Sequence, residues 1–136
     1  MENFVSFELA KKLQEKGCCV KCLAFYTNVG ILHCNESLGS HETYMDLLEM
    51  NNSQRGHGFI YDAPTIPQVL KWLREEKKIH VFVEIANSGW YYTVYPNVRW
   101  ENGKLKSDKY LMSFKPNSSF EEASLAGILY CLDNLI

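Results

Sequence analysis

Between Ile79 and Tyr95 apolar and polar positions alternate with a period of two, the signature of half-buried strands. In Ile79-His80-Val81-Phe82-Val83-Glu84-Ile85 every odd position is β-branched and apolar, and in Trp90-Tyr91-Tyr92-Thr93-Val94-Tyr95 the even positions carry Trp, Tyr and Val. Treating Ala86-Asn87-Ser88-Gly89 as a four-residue loop pairs Ile85 with Trp90, Val83 with Tyr92 and Val81 with Val94, so that one face is wholly apolar. A three-residue loop would shift the pairing by one and mix the faces, so the pattern selects the register. The opposite face then gathers His80, Phe82, Glu84, Tyr91, Thr93 and Tyr95.

The second strand meets Pro96, which belongs at an edge or a bulge. It resumes at Val98-Arg99-Trp100-Glu101 and turns at Asn102-Gly103, a strong hairpin signal that sets Glu101 against Lys104 and Trp100 against Leu105. Tyr110, Met112 and Phe114 alternate in the opposite parity to Leu105, so the chain bulges near Ser107-Asp108-Lys109 or the ladder changes sides there. Trp72, Trp90 and Trp100 all read as core residues.

Helical periodicity appears three times. Ser6 can cap a helix to about Lys16 with Phe7, Leu9, Ala10 and Leu13 inward, and Gly17 suits a left-handed stop. Thr65-Ile66-Pro67-Gln68 has the form of a capping box with proline in the first turn, followed by a stripe of Ile66, Val69, Leu70, Trp72 and Leu73. Ser119 with Glu122 opens a last helix, apolar on most sides from Ala123 to Ile136. Near the N-terminus, Val20–Tyr26 and Ile31–Cys34 flank Thr27-Asn28-Val29-Gly30 and read as a hairpin, and Phe59-Ile60-Tyr61 as a short strand. Residues 35–58 form an irregular excursion, the stretch expected to be mobile.

Together these elements predict an α+β fold in a single domain over residues 1–136. An antiparallel sheet, made of the N-terminal hairpin and a three-strand meander, has about three helices packed on one face. A chain of 136 residues, 46% hydrophobic and 22% charged, can bury a core without disulfides or metals. The net charge of −2, with 14 basic against 16 acidic residues, makes nucleic acid an unlikely partner. No apolar run approaches the ~18 residues of a membrane span, and no signal-peptide pattern opens the chain. Five Cys, two of them adjacent at Cys18-Cys19, suit reduced thiols and a cytoplasmic location better than a disulfide framework.

The segment from Ala63 to Val81, opening Pro64-Thr65-Ile66-Pro67-Gln68, resembles small uncharacterised proteins of gut Bacteroidetes, many of them phage- or prophage-borne. Phe7–Leu13 with Cys22, Trp90-Tyr91-Tyr92, Phe120–Ala123 and Tyr130–Ile136 resemble the same family, so that the likeness spans most of the chain outside about 35–58. It implies no activity, cofactor or catalytic residue.

Two kinds of site compete. Cys19-x-x-Cys22 with Cys34 and His33 or His41 could hold zinc tetrahedrally or serve a small cysteine-dependent enzyme, although no second tight ligand pair follows. Cys22 also suits an apolar strand as a small hydrophobe. No phosphate-binding glycine loop is present, and nothing pairs a nucleophile with a base. The other candidate is the face of His80, Phe82, Glu84, Tyr91, Thr93 and Tyr95, whose aromatics favour contact with a protein partner or a second copy. The leading expectation is a non-catalytic accessory or interaction protein without a cofactor.

Overall fold

The computed structural model describes residues 4–18, 20, 22–34 and 60–136, with Cys34 by its backbone alone. Its contacts gather into two units, Met1–Thr65 and Ile66–Ile136, each of antiparallel strands and helix. The α+β class therefore stands. Among the described residues the strands form three sheets, however, and the N-terminal hairpin and the later strands do not share one. The irregular excursion expected at 35–58 lies outside the described residues.

In the first unit the Ser6 hydroxyl accepts the Leu9 amide at 3.3 Å and starts α1 (Phe7–Glu15). Leu9, Ala10 and Leu13 are its buried side. Gly17 ends it at φ +79°, while the Cys18 amide turns back to the Leu13 carbonyl. β1 (Ala24–Thr27) lies between β2 (Leu32–Cys34) and β3 (Ile60–Asp62), antiparallel to both. The expected strand from Val20 begins only at Ala24, and the Cys22 thiol instead donates to the Val20 carbonyl at 3.1 Å. The Phe7 ring packs 5.5 Å from Tyr26 and 5.7 Å from Tyr61, centroid to centroid. Gly30, at φ +87°, leaves room for it: a Cβ there would sit 3.1 Å from the ring.

In the second unit α2 (Ile66–Glu76) buries Ile66, Val69, Trp72 and Leu73 and leaves Lys71, Arg74 and Glu75 exposed. Its end is tied off by Lys78 at φ +58° and by the Ile79 amide, which donates to the Leu73 carbonyl. β4 (His80–Ala86) and β5 (Gly89–Tyr95) pair antiparallel in the register read from the alternation, Val81 with Val94, Val83 with Tyr92 and Ile85 with Trp90. Ala86 and Gly89 also pair, so the turn itself is only Asn87-Ser88. Gly89 is required there. Its φ is +145°, and a Cβ would meet Pro116 Cβ at 2.8 Å and the Asn117 carbonyl oxygen at 2.9 Å.

The chain then leaves the sheet. β6 (Arg99–Glu101) and β7 (Lys104–Lys106) form a separate two-stranded ribbon about Asn102-Gly103, with Trp100 opposite Leu105 as expected. β8 (Leu111–Met112) returns to pair with β5, giving the order β4-β5-β8. Pro96 and Asn97, the latter at φ +52°, break the strand and turn the ribbon away. In consequence Trp100 is 75% exposed, which overturns its assignment to the core; Trp72 is buried and Trp90 half-buried.

α3 (Phe120–Asn134) is capped by Ser119, whose hydroxyl accepts the Glu122 amide at 3.1 Å. The Glu122 carboxylate reaches the Ser118 amide at 3.0 Å and the Ser118 hydroxyl, one residue before the expected partner. These bonds hold its pKa below the ordinary carboxylate value. The helix lies on the face of β4 and β5 that carries Val81 and Tyr92. Ala123, Ile128, Cys131 and Leu132 on this helix are buried, as are Val81 and Val94 on the strands.

Candidate functional site: an aromatic cleft

Side chains alternate across a strand, so the helix-facing set of β4 and β5 leaves His80, Phe82, Glu84, Tyr91, Thr93 and Tyr95 together on the reverse. The pairs are His80 with Tyr95, Phe82 with Thr93, and Glu84 with Tyr91. Rings run in series over this face: Phe82 to His80 at 6.4 Å, His80 to Tyr95 at 6.2 Å, Tyr95 to Tyr110 at 5.5 Å. Not all six residues are available. Thr93 is buried, and the Tyr91 hydroxyl is bonded to the Ser88 hydroxyl at the hairpin tip, away from the ring series. On the helix side the apolar pattern outruns its cover: Trp90 packs edge-on against Phe120 at 5.8 Å, but Ile85 is 67% exposed.

The ribbon converts one end of this face into a cleft. His80 and Tyr95 from the sheet, with Val98, Leu105, Lys106 and Ser107 from the ribbon and its roots, line a cavity of about 330 Å³. That is the low end of the ~300–1,000 Å³ usual for ligand cavities and has room for one large side chain. Trp100 shares Leu105's face of the ribbon by cross-strand pairing. The ribbon is held by a polar clamp at its roots. Arg99 donates to the Asn97 carbonyl at 2.9 Å and to Asp108 at 3.2 Å, and also contacts Glu101 at 3.3 Å. The Asp108 amide donates to the Pro96 carbonyl at 2.9 Å, and the Val98 amide to that of Lys78 at 2.7 Å.

Charge is uneven. Residues 99–115 carry five basic and two acidic side chains in a chain of net charge −2. The two acids, Glu101 and Asp108, are engaged by Arg99, so Lys104, Lys106, Lys109 and Lys115 dominate the ribbon and its return. His80, at the cleft floor, has its pKa lowered by burial and then by the Arg74 guanidinium. At neutral pH it is an uncharged ring, suited to stacking.

The cysteine alternative finds less support. Cys19 and His41 lie outside the described residues, and so does the Cys34 side chain. Cys22 is buried with its thiol on a backbone carbonyl. Cys131, on the buried side of α3, has its pKa pushed up to about 12 by desolvation, which keeps it an unreactive thiol. Among the described residues no three His, Cys, Asp or Glu side chains group as metal ligands.

The alternation in β4 and β5 disclosed the aromatic floor. The other wall escapes it, because the pattern makes Val98 and Leu105 a continuation of the meander and Ser107 part of a bulge or a change of side. The opposite parity of Tyr110 and Leu105 was the available signal.

Comparison with known proteins adds no relative: no family model, curated protein or solved structure matches the chain. No described helix is long and apolar enough to cross a membrane.

Proposed function

We propose that this is a non-catalytic interaction protein whose aromatic cleft grips an acidic segment of a partner protein. One apolar side chain of the partner enters between His80–Tyr95 and Val98–Leu105. The cavity carries this reading, because it joins an uncharged aromatic floor to an apolar wall on a lysine-rich ribbon. Burying one large side chain stabilises a complex by roughly 1.5–3 kcal/mol. Carboxylates beside Lys104, Lys106 and Lys109 add orientation and on-rate more than affinity. The resemblance of Ala63–Val81 to phage- and prophage-borne proteins adds a mobile-element setting to this reading.

Selection from a ribosome-displayed random peptide library tests it. Enriched peptides should combine an aromatic or aliphatic anchor with Asp and Glu, and lose about tenfold in affinity to Tyr95→Ala or Leu105→Ala. No enrichment, or peptides indifferent to both variants, would overturn the assignment. Tight binding of an oligouridylate in place of any peptide would reassign the cleft to single-stranded nucleic acid. Stoichiometric zinc in purified protein would favour the alternative, a zinc or cysteine-dependent site on Cys19, Cys22 and Cys34.

A further inference from the structure

A second surface lies beside the cleft, at the edge of the sheet. In the order β4-β5-β8, β4 has a neighbour on one side only among the described residues. The hydrogen bonds of β5 define which backbone groups of β4 face outward. Trp90 exchanges amide and carbonyl bonds with Asn117 at 3.0 and 2.8 Å, and the Tyr92 carbonyl accepts the Ser113 amide at 2.9 Å. Even residues of β5 thus bond away from β4, and Tyr91, Thr93 and Tyr95 bond toward it. Their partners Glu84, Phe82 and His80 are satisfied by that ladder. Val81, Val83 and Ile85 therefore point their amides and carbonyls outward, and no described group takes them. At Ile79 the edge closes, since that amide is held by Leu73.

Edge strands in soluble proteins are ordinarily short, bulged, proline-bearing or lysine-rich. β4 is none of these: seven residues, regularly paired, with Phe82 44% and Ile85 67% exposed. We propose that β4 pairs antiparallel with β4 of a second copy, centred on Phe82, to form a symmetric dimer with a continuous six-stranded sheet.

The centre follows from complementarity. An antiparallel two-fold about Phe82 sets Val81 against Val83 of the second copy, and the reverse, so their outward amides and carbonyls bond each other. On the aromatic side it sets His80 against Glu84 of the second copy twice, donor to carboxylate, with the two Phe82 rings between them. A two-fold centred on Val83 would instead oppose each Glu84 carboxylate to a Phe82 ring. An isologous pairing of this kind closes on itself, so no fibre grows from it.

Sedimentation equilibrium of the full chain over micromolar to millimolar concentration is the test, with circular dichroism to verify folding. The wild type should be a reversible dimer. Val83→Pro removes an outward amide without touching the β4–β5 ladder or the cleft and should weaken the dimer at least 100-fold. Glu84→Lys should weaken it about tenfold, and adding His80→Glu should restore it by giving the new ammonium group a carboxylate to face. A monomer at millimolar concentration, or a dimer indifferent to folded Val83→Pro and Glu84→Lys, would overturn the proposal. Loss in Glu84→Lys without restoration by His80→Glu would overturn the Phe82 register. The peptide selection reads the cleft independently of these outcomes.

Discussion

On one side of β4 and β5, Val81 and Tyr92 meet α3 at Gly127, so closely that a Cβ there would stand 2.8 Å from Val81 Cγ1 and 3.2 Å from the Tyr92 ring. On the other, His80, Phe82, Tyr95 and Tyr110 make a longer aromatic series, and the ribbon beside them encloses a cavity. Both faces are rich in large apolar groups, so hydrophobicity does not separate the packed face from the open one. The separation comes from the small residue and the clamp. Gly127 lets a helix settle on one face, while Arg99, fixed by Asn97 and Asp108, sets the ribbon's roots beside the other. A helix presented with one glycine at the crossing seals a face, and a ribbon tied by its roots leaves a slot.

The comparison breaks most readily at Gly127. Valine there would force its methyls into Val81 and the Tyr92 ring, and the fully packed interior has no room to absorb them. Overpacking of this kind costs roughly 1–3 kcal/mol. Gly127→Val should therefore lower the urea midpoint by that amount. Tyr95→Ala, on the open face, should shift it much less while losing ligand. Equal losses from the two variants would mean that the faces are not distinct in packing.

A smaller effect sharpens the same contrast from inside the helix. Ser124 is fully buried, and its hydroxyl has no hydrogen-bond partner among the described residues. An unsatisfied buried hydroxyl costs on the order of 1 kcal/mol or more, and alanine is also the better helix former. Ser124→Ala should raise the urea midpoint by about 1 kcal/mol with peptide binding unchanged. A destabilised Ser124→Ala would reveal a buried water bonded to that hydroxyl.

Much of this architecture is legible in the chain. The β4–β5 register follows from strict alternation, because a one-residue slip would carry Val81, Val83 and Val94 off the buried face. Ser6, Gly17 and Ser119 mark helix ends through chemistry confined to a few neighbouring residues. What alternation could not convey is which partner a strand finds after an interruption. Val98–Leu105 reads equally as continued meander or as detached ribbon, and only the backbone at Pro96-Asn97 decides. Trp100 looks like core for the same reason: cross-strand pairing with Leu105 says that two apolar groups share a face, not that anything covers it. The cleft is half legible on these grounds, its floor from periodicity and its wall only from tertiary placement.

The smallest expected effect is electrostatic and belongs to the open face. Partial burial, and then Arg74, hold the His80 pKa below the ordinary 6.5. The unfolded chain then binds a proton that the folded chain resists. The contribution is absent well above pH 6.5; stability falls as pH drops through that value and levels once the folded imidazole is itself protonated. Urea midpoints from pH 7.5 to 5 should decline in the wild type and flatten in His80→Gln over this interval. The acid loss linked to Glu122 comes lower, as pH falls below its ordinary 4.5, and should persist in that variant. An acidic peptide in the cleft should oppose the shift, since a carboxylate near His80 favours its charged form. Binding near pH 6 should then take up a proton, measurable as a buffer-dependent heat in calorimetry. A peptide held only by the ribbon's lysines would bind with no such heat, and the sheet face would lose its part in recognition.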